Sequence, residues 1–206
     1  MVLRCSMISI ETLLGGYRTG YFPMAVNGGV RWFSPGQRGV IPLDRFHTTR
    51  RLGRMLRQGR FRCTVNQAFH DVVLACASRA DPKGNWIDQE IVESYCALHN
   101  AGYAHSVEVW DSNQLVGGLY GVGLRGAFFG ESMFHRARDA SKVALCHLVY
   151  RLRARGYHLL DVQWVTPHLQ QFGAIEISRA RFLDILDDSM RHDCEFVGSE
   201  FRQGAE

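Results

Sequence analysis

Apolar positions change their period several times along the chain. Behind Ser9, the residues Ile10, Leu13 and Leu14 share one helical face, which predicts a short helix over 9–14 that Gly15-Gly16 ends. Aromatics then crowd a stretch without helical period, Tyr17, Tyr21, Phe22 and Pro23. Asn27-Gly28-Gly29 predicts a tight turn between two short strands, the second carrying Val30-Arg31-Trp32-Phe33 until Ser34-Pro35-Gly36 breaks it. Within Thr48-Thr49-Arg50-Arg51-Leu52-Gly53-Arg54-Met55-Leu56-Arg57, helical spacing puts Arg50, Arg54 and Arg57 on one face while Leu52, Met55 and Leu56 turn inward. Asn66 reads as the cap of a helix with Phe69, Val72, Val73 and Cys76 on its stripe. Asp88 reads as the cap of another with Ile91, Tyr95 and Leu98, closed by Asn100-Ala101-Gly102. The loop Asp81-Pro82-Lys83-Gly84-Asn85 between them presents Trp86.

Alternation takes over at 106–110 and continues through the turn 111–113 into 114–122, a hairpin pattern, with a third strand over 127–131. An amphipathic helix comes next over 139–155, with Leu145, Leu148, Val149 and Leu152 on its apolar side and Gly156 as its stop. A strand at 158–164 and a helical region around 182–186 complete the order. Without any internal repeat, the order predicts an α+β fold, a mixed and largely antiparallel sheet flanked by helices. Residues 1–45 form a small N-terminal α/β subdomain and 46–206 the main domain.

Length and composition agree with a globular chain. At 206 residues, 46% of them hydrophobic and 21% charged, it buries roughly 70% of its extended-chain surface and needs no staple. No apolar run approaches the roughly 18–20 residues of a membrane span, and the first residues lack a secretory core, so the expected location is the cytoplasm. Six cysteines, Cys5, Cys63, Cys76, Cys96, Cys146 and Cys194, are spread without a C-x-x-C pair and read as thiols behaving like small hydrophobes. Charge is unevenly spread. In residues 1–62 eleven Arg face only Glu11 and Asp44, while the remainder carries thirteen basic against eighteen acidic residues. The Arg50, Arg54 and Arg57 stripe suits a polyphosphate backbone, the alternative being a solvated helix face.

Gly121-Val122-Gly123-Leu124-Arg125-Gly126 has the glycine spacing of dinucleotide-binding loops, but a strand comes after it rather than a helix, so it reads as a turn. Asp161 and Gln163 are two residues apart on an apolar strand, which predicts a carboxylate and an amide on one face. A buried, unpartnered Asp costs several kcal/mol and needs a partner or a task. Glu131, at the end of another strand, is a second carboxylate that can converge on the same cleft. None of the nine histidines stands at a spacing that reads as a triad or a metal cage, so no metal is expected.

Further strings now form a set: Gly20-Tyr21-Phe22-Pro23-Met24, Trp32-Phe33-Ser34-Pro35, Arg38-Gly39-Val40-Ile41-Pro42-Leu43, Ala104-His105-Ser106-Val107-Glu108-Val109-Trp110, Leu115-Val116-Gly117-Gly118-Leu119-Tyr120-Gly121-Val122, Phe129-Gly130-Glu131-Ser132-Met133-Phe134 and Ala140-Ser141-Lys142. With Asp161-Val162-Gln163, His168-Leu169 and Phe172-Gly173-Ala174-Ile175-Glu176-Ile177, they closely resemble the leucyl/phenylalanyl-tRNA–protein transferase family, in order from about residue 13 to 182. The resemblance implies a bacterial cytoplasmic enzyme with a domain like the GNAT acetyltransferases, without metal or organic cofactor. It implies transfer of Leu or Phe, less readily Met, from aminoacyl-tRNA to the α-amine of proteins beginning with Arg or Lys, marking them for N-degron degradation. A monomer without membrane partners is expected. Carried onto this chain, the catalytic residues are Asp161, Gln163 and Glu131, and Trp32 and Trp86 hold the terminal adenosine of the tRNA. Leu119, Leu145, Leu148 and Leu152 line the aminoacyl pocket, and Arg50, Arg54 and Arg57 touch tRNA phosphates. Asp161 is expected to polarise Gln163, whose amide oxygen accepts from the attacking amine. Two other classes compete. An acetyl-CoA-dependent GNAT-type N-acetyltransferase lacks its Arg/Gln-x-x-Gly-x-Gly/Ala signature here, and a non-catalytic RNA-binding module leaves Asp161 and Gln163 unexplained.

Overall fold

The computed structural model of the chain describes residues 7–79 and 85–198. Cys5 and the loop residues Asp81, Pro82, Lys83 and Gly84 lie outside the described residues. Helix α1 (Ile10–Arg18) starts on Ser9, whose side chain accepts from the Thr12 N–H, and buries Leu13, Leu14 and Tyr17. It runs through Gly15-Gly16 instead of ending there. Gly16 lies under the Trp32 ring so closely that a Cβ would overlap it, so this glycine answers to packing and not to termination. Strands β1 (Phe22–Val26) and β2 (Gly29–Phe33) form their own two-stranded sheet. The connecting Asn27 and Gly28 both have positive φ, 54° and 78°, as the hairpin signal requires.

The main sheet uses β3 (Gln37–Val40), β4 (Arg62–Val65), β5 (Ala104–Asp111), β6 (Gln114–Leu124), β7 (Ala127–His135), β8 (Leu159–Gln163) and β9 (Ile175–Ser178) in the order β4-β5-β6-β7-β8-β3-β9. Only the β7·β8 neighbours run parallel. The β5–β6–β7 meander and the helix-less turn at Arg125-Gly126 are as expected. Strands β3, β4 and β9 carry too few alternating residues to announce themselves, and β3 becomes a strand because β8 and β9 pair with it on either side. It falls within residues 1–45 yet belongs to the large sheet.

Helices cover both faces. On one, α1, α3 (Phe69–Ala77), α4 (Gln89–Asn100) and α7 (Arg179–Ser189) bury Leu13, Val72, Ile91, Tyr95, Phe129 and Phe182. On the other, α2 (Arg50–Arg57), α5 (Ala140–Ala154) and α6 (Pro167–Gln170) bury Leu52, Phe128, Leu145, Leu148, Leu160 and Leu169. Neighbours along a strand therefore divide between the two cores, Phe128 from Phe129 and Leu159 from Leu160. Asp88 caps α4, accepting from the Ile91 N–H at 2.9 Å. Asn66 does not cap α3. It sits at φ 60° and bonds the Ser106 N–H at 2.9 Å, fastening the end of β4 to β5, while the Ala68 N–H at the start of α3 reaches the buried Glu108 at 3.4 Å. Among the described residues the five cysteines are free thiols, and no helix is long and apolar enough to cross a membrane.

Two irregularities interrupt the middle of the sheet. Strands β7 and β8 pair only at Ala127↔Leu159, Phe128↔Leu160 and Phe129↔Asp161, and they separate beyond. Where β6 faces β7, Tyr120 pairs with Ser132 and Gly121 with Gly130, which leaves Glu131 as the extra residue of a β-bulge. A Cβ on Gly121 would collide with the Phe129 carbonyl oxygen and the Phe128 ring. Gly121→Ala is expected to cost about 1–3 kcal/mol of stability in urea titration, the scale of an overpacked core site; an unchanged midpoint would refute this reading of the bulge.

Candidate active site

Arg38 is 1% exposed and Asp161 0%. The guanidinium grips the carboxylate with two bonds, Nε to Oδ1 at 2.9 Å and Nη2 to Oδ2 at 2.6 Å, and its Nη1 donates to the Gly20 carbonyl at 3.1 Å. The rings of Phe22 and Phe182 flank it at 4.6 and 4.4 Å. A buried ion pair offsets its desolvation only when the remaining donors and acceptors are satisfied, and here the geometry is forked and nearly complete. Asp161 Oδ1 takes one more bond, the Gln163 backbone N–H at 2.9 Å.

That last bond holds an unusual backbone. Gln163 has φ 56°, and the Trp164 N–H reaches back to the Val162 carbonyl at 2.7 Å, closing a γ-turn at the end of β8. A non-glycine residue in this region persists only where its surroundings over-determine it. Gly39 supplies the room, since a Cβ there would lie 2.8 Å from the Trp164 and Val165 backbone. The bend breaks the two-residue alternation, so Asp161 and Gln163 do not present side chains side by side. Asp161 bonds Gln163 through the Gln163 main chain and does not line the cavity described below, whereas Gln163 does.

Glu131, thrown out by the bulge, accepts from the hydroxyls of Tyr17 at 2.7 Å and Tyr95 at 3.0 Å, and the two phenol oxygens lie side by side. Burial pushes its carboxyl up to about 7; the two phenol bonds pull against that, Asp161 adds to it and Arg38 opposes it. Burial also raises Tyr17 and Tyr95 well above the ordinary phenol range, so both remain donors.

Between the parting ends of β7 and β8 opens a cavity of about 400 Å³. It passes through the sheet, because its walls come from both faces: Trp86 and Tyr120 on the α4 side, Leu145, Leu148 and Leu160 on the α5 side. Glu131 and Gln163 line it as well. Three buried polar atoms on these walls, Tyr120 Oη, Gln163 Nε2 and His168 Nε2, have no hydrogen-bond partner. Burial, then Lys142 and His135, hold the His168 imidazole below its usual value and hence neutral. A largely apolar slot with a few convergent, unsatisfied polar atoms is the common form of a small-molecule site.

The residues expected here are partly brought together. Leu119, Leu145, Leu148 and Trp86 line the cavity with Glu131 and Gln163. Leu152 does not; one turn further along α5 it is 0% exposed in the core beneath the helix. Trp32 does not either, because it packs over Gly16 against the core on the α1 side. Arg50, Arg54 and Arg57 are exposed on α2. Arg51 of the same helix pairs with Asp139, two residues before Ser141 of the cavity wall. Sequence reasoning missed Arg38, Tyr17, Tyr95, Trp164 and the role of His168. An arginine between Gln37 and Gly39 carries no strand period to signal burial, and only its place in a rare string pointed to it.

A carboxyl raised from 4.5 to about 7 means the folded state holds the proton more tightly. The charged form costs stability as pH rises through 7, and nothing is lost below the ordinary value. Glu131→Gln is therefore expected to exceed the parent chain by up to about 3 kcal/mol at pH 8, the gap closing by pH 4. Urea titration across pH checks this, and a gap that widens toward acid would overturn it.

Known proteins resemble this chain along most of its length. The family model described as "Leucyl/phenylalanyl-tRNA protein transferase" matches residues 40–187, and that of its N-terminal domain matches residues 6–36. A protein named leucyl/phenylalanyl-tRNA–protein transferase from Rhodopseudomonas palustris strain TIE-1 is 51% identical over 93% of this chain and 87% of its own. One of the same name from Chlorobaculum parvum is 47% identical over 93% of this chain and all of its own length. A third, from Herpetosiphon aurantiacus, is 48% identical over 92% and 98%. With family models matching residues 6–36 and 40–187, and with relatives about half identical along most of their length, the chain belongs to the leucyl/phenylalanyl-tRNA–protein transferase family.

Proposed function

We propose that the chain transfers an amino acid from aminoacyl-tRNA to the α-amine of a protein, in the cytoplasm and as a monomer, and that the amino acid is Leu or Phe, less readily Met. The observation that carries this reading is the apolar through-sheet cavity with three unpartnered polar atoms beside a carboxyl that titrates near neutrality. An aminoacyl ester is already activated, so the protein's work is to align an amine on a carbonyl and to move one proton.

In this reading Leu119, Leu145 and Leu148 receive the aminoacyl side chain. Such a slot excludes charge, whereas one methylene changes binding by only about 1–3 kcal/mol, so selection among apolar residues is graded. Trp86 stacks the terminal base, worth about 1–3 kcal/mol. The incoming α-amine donates to the Gln163 side-chain oxygen. Its nitrogen bonds the ester carbon, the bond to the ribose oxygen breaks, and Glu131 takes the amine's proton while the ribose oxygen is reprotonated from solvent. The match between a carboxyl near 7 and an α-amine near 8 favours that transfer. Asp161 then acts as a positioning residue, through Arg38 and the Gln163 main chain. Acceptors beginning with Arg or Lys suit the anionic form of Glu131, and the product enters an N-degron route.

The test is single-turnover transfer of labelled Leu from Leu-tRNA to a protein beginning with Arg, against one beginning with Met. Gln163→Ala and Glu131→Gln are each expected to slow transfer about 10²–10⁴-fold. The parent rate rises with pH through about 7, and in Glu131→Gln the rise is left only to the α-amine, near 8; a Gln163→Ala chain as fast as the parent would sink the assignment. Replacing Arg50, Arg54 and Arg57 together by Gln is expected to lower the slope of log affinity for tRNA against log salt by about 2–3. An unchanged slope returns α2 to a solvated face.

A further inference from the structure

We propose that His158, Asp188 and His192 form a binding site for a transition-metal ion of the zinc class, at the opposite end of β8 from Gln163. One ring nitrogen of each histidine and a carboxylate oxygen of Asp188 lie within 4.8 Å of one another. The two imidazoles are stacked, with centroids 3.8 Å apart and planes at 21°, and His192 Nε2 stands 3.9 Å from Asp188 Oδ2. Thirty residues separate His158 from Asp188, which is why no ligand spacing shows in the sequence.

The backbone assembles this group from three elements. His158 immediately precedes β8, and its N–H donates to the Gly126 carbonyl at 2.8 Å. Asp188 is in the last turn of α7, and His192 lies three residues beyond its end in the turn that follows. The β6–β7 turn locks onto that end through the Gly126 N–H to the Ser189 carbonyl at 3.0 Å, Arg125 Nε to the Met190 carbonyl at 3.1 Å, and Arg125 Nη1 to Asp193 at 3.2 Å. Only glycine fits at the junction. A Cβ on Gly126 would stand 2.7 Å from the Ser189 oxygen, 3.1 Å from the His192 Cβ and 3.4 Å from the His158 ring. The two imidazoles are thus brought face to face by the Gly126 main chain and the Arg125 guanidinium, without any bond of their own.

Donor chemistry selects the ion. Two imidazoles and one carboxylate suit zinc and its neighbours, whereas magnesium and calcium call for oxygen ligands. Metal–ligand lengths of about 2.0–2.2 Å put tetrahedral ligands about 3.4 Å apart. Closure thus needs the two rings to turn out of their stack so that their in-plane lone pairs converge, with shifts of the order of 1 Å, which side-chain torsions supply at these exposed or half-buried positions. Three protein ligands leave the fourth place to water. A bound ion would tie the start of β8 to the end of α7 and the turn after it, and α7 is the helix whose Phe182 covers Arg38.

The probe is Zn²⁺ added to the full chain carrying no polyhistidine tag, with equilibrium dialysis and metal analysis, then thermal melting. One equivalent is expected to bind and to raise the melting temperature. His158→Ala and His192→Ala are each expected to weaken binding by more than the roughly 10–100-fold typical of losing an outer-shell partner, and neither should melt higher with Zn²⁺. Cys194→Ser is expected to bind as the parent does, which separates this site from adventitious thiol capture. Because the ligands are surface side chains, metal-free urea midpoints of the variants should equal the parent's and serve as the folding control. Absence of saturable binding, or undiminished binding by the His158→Ala, His192→Ala double variant, would overturn the proposal.

Discussion

The Arg38–Asp161 ion pair is the constraint on which the rest of the site depends. Neither partner is tolerable alone at this depth, because an isolated buried charge costs several kcal/mol, and removing one member of such a pair typically costs about 3–5 kcal/mol. The pair joins parts of the chain 123 residues apart. It connects β3 to β8, takes the Gly20 carbonyl from the end of α1, and is capped by rings from β1 and α7. The front segment is therefore anchored to the large sheet by charge as well as by the apolar packing of Leu13, Leu14 and Tyr17. Asp161 spends its last lone pairs on the one backbone N–H that fixes Gln163 in its strained turn.

Glu131 is the complement. It lies within the influence of the same pair, but its own partners are neutral phenols. Charge is thus divided within a small volume, with one carboxylate compensated by a guanidinium and the other left to titrate. Two glycines make the division possible. Gly121 lets the bulge turn Glu131 toward the tyrosines, and Gly39 lets the end of β8 fold across β3.

Much of this was legible in the chain, and the exceptions share a cause. The β5–β7 meander, α4, α5 and the Asn27-Gly28 turn arise from period and turn chemistry, which act locally. Strand β3 exists only through its neighbours, and Arg38, a residue type that is mostly exposed, is buried only because Asp161 waits for it. Asn66 has the chemistry of a cap but spends it on a strand junction, and Gly15-Gly16 resemble a stop but serve a ring. For the site, the two-residue spacing of Asp161 and Gln163 correctly marked the strand. It misjudged their relation, because alternation fails where the backbone enters positive φ. Leu148 and Leu152 share a helical face, and periodicity cannot say at which turn a wall gives way to solid core.

The through-sheet cavity has a steric corollary. At about 400 Å³ it lies toward the small end of ligand sites, about 300–1,000 Å³, and it is hemmed in by two helical layers. Macromolecules can reach its interior only by their extremities, threaded in extended form while their bodies stay outside. A duplex or a folded protein is far larger than this volume, so only a small protruding group of either fits inside.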